Sequence, residues 1–242
     1  MEQPTHTLRK TPHISVSRLA DYMAASEQAR RTIAQSCKYR PIARVIQHVE
    51  ARGAISAAYT KGSPDLKALK ERAESIRRKI ADSDFEADVN DHNASYVARF
   101  AEVAPSLKLP AAEISAGAKF PTFVVSDVRI TFALDLRLHR LTRTNEVRVG
   151  GAMLRYAKQK ALPPLVAEFQ SAFVYGRLCE IADALAGMPE KKLCLTIDAQ
   201  DGVVYEAPTR SVYLYKEMGA ACQAIAERWP AIKPPKGAVI EP

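Results

Sequence analysis

Asp135 and Lys158 are the residues whose types and placement bear most directly on chemistry. Asp135 lies in an alternating apolar stretch, Ala133-Leu-Asp-Leu-Arg137, and Lys158 closes a second apolar run that begins at Val147. A carboxylate on one strand and an ammonium at the end of the next are ingredients of metal-assisted hydrolysis. The acid holds a hard cation and the lysine steadies an anionic group. One carboxylate is not enough, because such a cation takes several oxygen ligands. Glu146, before the second run, or Glu168, further along, would supply another, and Lys160 stands as an alternative to Lys158. An ordinary structural role competes with this reading: Asp135 pairing with Arg137 or Arg148 across a sheet.

Other catalytic signatures are absent. The sequence has no G-x-x-x-x-G-K-[ST], no G-x-G-x-x-G, no H-E-x-x-H and no G-x-S-x-G, and its five histidines are scattered. The acid-rich segment 84–91 begins a predicted helix, where the helix dipole favours acids without any metal.

These residues need strands to hold them. From Val124 to Leu138 every even position except Ser126 is apolar, and from Asp127 onward the odd positions are mostly polar. This period of two predicts half-buried strand. A polar interval, Arg140 to Glu146, leads to the second run, Val147 to Tyr156, in which Gly150-Gly151 marks a bulge or a close backbone approach. Pro163-Pro164 then introduces a helix from Leu165 to about Ala186. Lys192–Ala199 reads as a strand, and Asp201-Gly202 as the tight turn to its hairpin partner, Val203–Ala207. Thr209 or Ser211 caps a last helix that buries Leu214 or Tyr215, Met218, Cys222, Ile225 and Trp229.

The front of the chain reads as helices. Ser15 or Ser17 caps the first and Ser26 the second, which ends before Pro41. A third is predicted from Pro41 to about Thr60, a fourth from Pro64 to Ala81 capped by Ser63, and a fifth from Asp84. Helices four and five form an antiparallel hairpin. Residues 104–121 read as loop. The expected organisation is a flexible arm (1–13), a basic helical region (14–104), an α/β domain (121–232) and a mobile tail (233–242). The fold class is α/β (α+β), a helical front followed by a mixed sheet flanked by helices.

Charge adds a partner. The net charge is +8, and residues 1–61 hold ten Lys/Arg against four Asp/Glu. A basic N-terminal region attracts polyanions. Arg30, Arg31, Lys38, Arg40 and Arg44 are the expected nucleic-acid contacts, with Tyr39 placed to stack on a base. A solvated cationic face is the alternative. The four cysteines are far apart and lack C-x-x-C spacing, so they read as small buried residues in a reducing compartment. No membrane span and no signal peptide are expected, and the expected location is cytoplasmic.

The order of elements over 121–199 resembles the restriction-endonuclease-like, or PD-(D/E)XK, nucleases, especially their RecB-like branch. In that family a helix precedes a sheet whose second strand carries a metal-binding Asp and whose next strand carries (D/E)-x-K. A helix with Gln and a nearby Tyr follows. Asp135 stands where the first acid belongs, and Gln170 and Tyr175 resemble the Gln…Tyr pair. The (D/E)-x-K positions are Ala152 and Leu154, or Gly151 and Met153, none of which binds a metal. The resemblance implies Asp135, Lys158, Gln170 and Tyr175 as site residues, with Mg²⁺ held by Asp135 and Glu146 if catalysis survives. The expectation is a protein that holds nucleic acid, DNA ahead of RNA, within a larger assembly and through a degenerate nuclease-like domain. The alternatives are an active nuclease with migrated residues and a protein-binding adaptor.

Overall fold

The computed structural model describes residues 4–42, 48–59 and 63–241. Arg44, one of the expected nucleic-acid contacts, lies outside the described residues. In chain order the elements are β1 (His6–Leu8), β2 (His13–Ser15), α1 (Val16–Ala24), α2 (Glu27–Lys38), β3 (Tyr39–Pro41), α3 (Val49–Ala58), α4 (Leu66–Arg77) and α5 (Asp84–Val103). They continue with β4 (Glu113–Lys119), β5 (Phe123–Val125), β6 (Val128–Thr131), β7 (Ala133–Leu141), β8 (Val147–Arg155) and α6 (Pro164–Glu180). The last are β9 (Met188–Asp198), β10 (Val203–Glu206), α7 (Ser211–Arg228) and β11 (Ile240–Glu241). The α/β class expected from the sequence is the class observed.

The chain folds as two compact units, and neither is continuous in sequence. One is built from Met1–Val45, Phe120–Phe132 and Val212–Pro242, the other from Ile46–Lys119 and Ala133–Ser211. This division replaces the expected boundaries. The long alternating run Val124–Leu138 is shared between the units. Ser126 and Asp127 adopt left-handed φ values of 46° and 63° and turn β5 back onto β6. Only after Phe132 does the chain enter β7, in the other unit.

The first unit contains two small sheets, ordered β11-β1-β3 and β2-β6-β5. Residues 1–13 and 233–242, expected as an unpacked arm and a mobile tail, instead supply strands. β1 pairs antiparallel with β3 and parallel with β11 (His6 opposite Ile240), and Thr5 N–H donates to Val239 O at 2.8 Å. Their backbone groups find partners in each other, which a polar composition does not reveal. Ser15 accepts from Arg18 N–H and Ser26 from Ala29 N–H as predicted, whereas in the other unit α4 is capped by Asp65, which accepts from Ala68 N–H, and not by Ser63. The helix expected from Pro41 starts later, because Tyr39–Pro41 is taken into β3.

The second unit is a five-stranded sheet, ordered β10-β9-β8-β7-β4. β4, β7 and β8 form an antiparallel series. α6 then crosses over to β9, which runs parallel to β8, and β10 returns antiparallel through the Asp201-Gly202 turn, with Gly202 at φ +70°. Helices α4 and α5 pack together as expected. One core joins Ile55, Leu69, Ile76, Tyr96 and Phe100 from the helices to Leu136, Leu138, Ala152, Leu154, Leu193, Leu195 and Ile197 from the sheet. By strand alternation Cys194 and Thr196 face the other way, and they too are buried; α6 packs against β8 and β9. Both faces of the central strands are therefore covered there, which is why Leu193–Ile197 of β9 is apolar on both faces apart from Thr196. Of the four free cysteines, Cys37, Cys194 and Cys222 are buried as expected, whereas Cys179 is exposed at the end of α6.

Gly150-Gly151 serves both expected purposes. The β8–β9 register shifts between Val149 and Gly151, and a Cβ on Gly150 would sit 2.2 Å from Leu193 O. The neighbouring strand's backbone cannot yield without parting the ladder. Gly150→Ala is therefore expected to cost roughly 1–3 kcal/mol or more, read as a lower urea midpoint with an unchanged slope.

Candidate functional site

Asp135 is buried, and its surroundings determine what it can do. Arg52, on α3, forms a two-pronged pair with it: Nε lies 2.6 Å from Oδ1 and a terminal nitrogen 3.0 Å from Oδ2. Oδ2 also accepts the Leu154 N–H at 2.7 Å. Burial works against the charge on Arg52, and the adjoining carboxylate more than offsets it, holding the guanidinium above its ordinary pKa. The partner is neither Arg137 nor Arg148, the two cations expected across the sheet. Arg137 donates to Ala116 O, and Arg148 to Glu146.

The expected metal pair does not form. Glu146 lies at the β7–β8 hairpin tip, where Thr142 and Glu146 close the turn and Arg148 takes its carboxylate at 2.6 Å. Asp135 is six strand residues from the last residue of β7, Leu141, which puts the tip about 20 Å away. With both Asp135 oxygens engaged and Glu146 distant, these two donors do not fit a hard cation. Among the described residues no group of three or more His, Cys, Asp or Glu side chains could hold a metal ion.

The other expected site residues also disperse. The Lys158 ammonium lies 3.8 Å from Asp91 on α5, and no contact joins it to Asp135 among the described residues. Gln170 is fully buried on α6 and reaches Arg155, at the end of β8, over a long 3.4 Å contact. Asp135 and Gln170 thus touch consecutive residues of β8, Leu154 and Arg155, without meeting. Tyr175, one and a half turns further along α6, lies against the Lys191 ammonium at 5.5 Å. Sequence reasoning missed Arg52, Tyr96 and His48, which share the neighbourhood of Asp135. Tyr96 stacks on Tyr156 at 4.3 Å, and His48 meets both rings edge-on at 5.3 and 5.5 Å. The Tyr96 phenol is held well above its usual pKa, first by burial and then by Asp135.

Burial, then His92 and Arg52, lower the pKa of His48. Near neutrality His48 is uncharged in folded and unfolded chains alike. As the pH falls through the unfolded value of about 6.5, the unfolded chain takes up the proton first, so stability drops until the lower folded pKa is passed. His48→Phe is expected to flatten this part of a stability–pH curve, measured by urea melts between about pH 7.5 and 5.

The first unit carries most of the charge. It holds thirteen Lys/Arg against seven Asp/Glu, which is +6 of the chain's +8. The expected contacts within it have different fates. Lys38 is buried, and its ammonium donates to Trp229 O (2.7 Å), Ile232 O (2.9 Å) and Pro230 O (3.2 Å). It fastens the segment after α7 and is not available to a phosphate. Tyr39 is also buried, its hydroxyl donating to Ile232 O, so it offers no stacking face. Arg30 donates to Tyr22 O and Met23 O, closing the end of α1. Arg31 is exposed and shares Glu27 with Arg228. Arg30, Arg31, Arg228 and Lys233 line a cleft of about 710 Å³ floored by Ile225 and Ile232, with Glu27 neutralising part of its charge.

Arg40 differs. It is exposed and, like Arg9, Arg18 and Arg129, has no carboxylate partner among the described residues. In the second unit Arg52, Arg72, Arg77, Lys79, Arg99, Arg140, Arg148, Arg177 and Arg210 pair with acids, while Arg78, Arg137 and Arg143 have no carboxylate partner among the described residues. No protein-family model matches the chain, and no curated protein matches it in sequence. Among the described residues no helix is long and apolar enough to cross a membrane.

Proposed function

We propose that the protein binds nucleic acid, DNA ahead of RNA, through its first unit, and that the second unit is a restriction-endonuclease-like scaffold whose chemistry has been replaced by an internal ion pair. The observation that carries the reading is the first unit's excess of charge, thirteen Lys/Arg against seven Asp/Glu, with Arg9, Arg18, Arg40 and Arg129 lacking a carboxylate partner among the described residues. Unpaired surface guanidinium groups repel one another, and a polyanion relieves that repulsion while releasing its own counterions. The scaffold part is supported by the element order α5, β4-β7-β8 antiparallel, α6, then β9 parallel to β8, which is the order the PD-(D/E)XK resemblance calls for. Arg52 takes the Asp135 oxygens that a metal would need, so the reading is of holding nucleic acid rather than cutting it. A cytoplasmic location and further protein partners in an assembly belong to the same proposal.

The test is fluorescence anisotropy of a labelled duplex and of the corresponding single strand, titrated across salt concentration. Binding at about 0.1–0.15 M salt is expected, with log K falling by roughly 0.7–0.9 per phosphate contact for each decade of salt. No binding of either strand form in that range overturns the reading and favours a protein-binding adaptor. Incubation of the same duplex with Mg²⁺ or Mn²⁺ is expected to leave it intact. Cleavage that survives purification and disappears in Asp135→Asn would restore the alternative, an active nuclease.

A further inference from the structure

Strand register places Arg9 beside Arg40 in one small sheet and Arg129 beside His13 in the other. Thr7 lies opposite Arg40 in the β1–β3 pair, and Arg9 N–H donates to Lys38 O at 2.8 Å, which continues that pairing. Arg9 and Arg40 are therefore diagonal neighbours on one face, about 7–8 Å apart at their backbones and within reach of long side chains. In the second small sheet His13 stands directly opposite Arg129, and Arg129 N–H donates to Pro12 O at 2.9 Å. The chain joins the two sheets, since only three residues separate Arg9 from His13 and hold their backbones within about 14 Å. Arg9 has a lowered pKa, through burial and then through Arg40, and His13 has a lowered pKa, through burial and then through Arg9 and Arg129. Arg9 is thus felt at both Arg40 and His13. Its backbone is fixed on both sides, since its carbonyl accepts Trp229 Nε1–H at 3.2 Å. The His13 ring is held by Thr131 at 2.6 Å.

We infer that Arg9, Arg40, Arg129 and His13 form a seat for a phosphomonoester dianion. On a nucleic acid, this group is a terminal phosphate. The charge match favours a terminal group over the backbone. A phosphodiester brings one negative charge, whereas a monoester brings about −1.5 to −2 and three acceptor oxygens, closer to the summed charge of Arg9, Arg40 and Arg129. Guanidinium forks bind such oxygens in pairs, and an ammonium cannot do the same. The inference rests on the nucleic-acid reading only for the identity of the molecule that carries the phosphate.

The experiment uses the full chain and an internally labelled oligonucleotide with three kinds of ends: hydroxyl at both, 5′-phosphate, or 3′-phosphate. One phosphorylated form is expected to bind at least about 10-fold tighter than the hydroxyl form, the scale of one charge-assisted hydrogen bond. Inorganic phosphate should compete away that preference. The exposed positions allow variants that keep the fold, checked by thermal melting. Arg40→Gln and Arg129→Gln should each abolish most of the preference, read within each variant as the ratio of phosphate-ended to hydroxyl-ended affinity, and Arg40→Lys should restore only part of it. Equal binding of all three forms overturns the seat and leaves the general nucleic-acid reading intact. If no oligonucleotide binds, calorimetry with inorganic phosphate decides. Heat that is lost in Arg40→Gln upholds the seat while the nucleic-acid reading falls, and no heat overturns both.

Discussion

Arg52→Met is expected to destabilise the second unit by about 3–5 kcal/mol, because it leaves the buried Asp135 carboxylate without its cation. For a chain of this size that is a loss of roughly 6–20 °C in melting temperature. The geometry accounts for the size of the effect. Asp135 is only 5 % exposed, and the Leu154 N–H is its one remaining donor. The paired replacement Arg52→Met with Asp135→Leu removes both charges and should recover most of the loss, since a buried ion pair and an apolar pair of similar volume are often close in stability. A double-mutant cycle by urea denaturation measures this directly. Additive costs for the two single variants would show that the pair is not the source of the effect. Asp135→Ala, the obvious probe of catalysis, carries the same risk of unfolding, so loss of activity in that variant has to be compared with its melting curve before it bears on chemistry.

Lys38→Met should cost about 2–4 kcal/mol and act on the first unit. Its ammonium serves three carbonyls, and a hydrogen bond to a charged group is worth roughly 1.5–3 kcal/mol, partly recovered here because the freed carbonyls reach some water. The expected signature is a lower urea midpoint with loosened amide protection at Trp229–Ile232, where the three acceptors lie. Molecules that remain folded should bind DNA as tightly as the unaltered chain. A folded Lys38→Met protein with several-fold weaker binding would return Lys38 to the interface and take it out of this structural role.

Local features were legible because their causes are local. Ser15 and Ser26 announce helix starts by offering a side-chain acceptor. Asp201-Gly202 announces a hairpin by permitting a positive φ, and Leu214, Met218, Cys222 and Ile225 mark the inner face of α7 by spacing alone. β4 lies in a stretch whose sequence resembles loop, because Glu113-Ile-Ser-Ala-Gly-Ala-Lys119 has little of the bulk that marks a strand. It is small where the β7 backbone presses in: a Cβ on Gly117 would meet Leu134 O at 2.0 Å. The site was legible only in part. Asp135 was picked out by its position in an apolar strand, but its partner is 83 residues earlier on a helix, with no periodicity linking the two. Lys38 and Arg40 look alike in sequence. One is buried under the residues that follow α7, and the other points outward from β3, next to β1, which also pairs with β11 from the opposite end of the chain.

That strand pair also bears on how the polypeptide could be rewired. His6 and Ile240 are neighbours in one sheet, so a short Gly/Ser linker can join the two ends without crossing the fold. New ends can then be opened at 142–146, the exposed tip between β7 and β8. Because β1 and β11 run parallel, the linker has to return along the pair before it enters β1. Such a circular permutant shows whether Arg9 and Arg40 keep their places when the connection between these two strands is covalent.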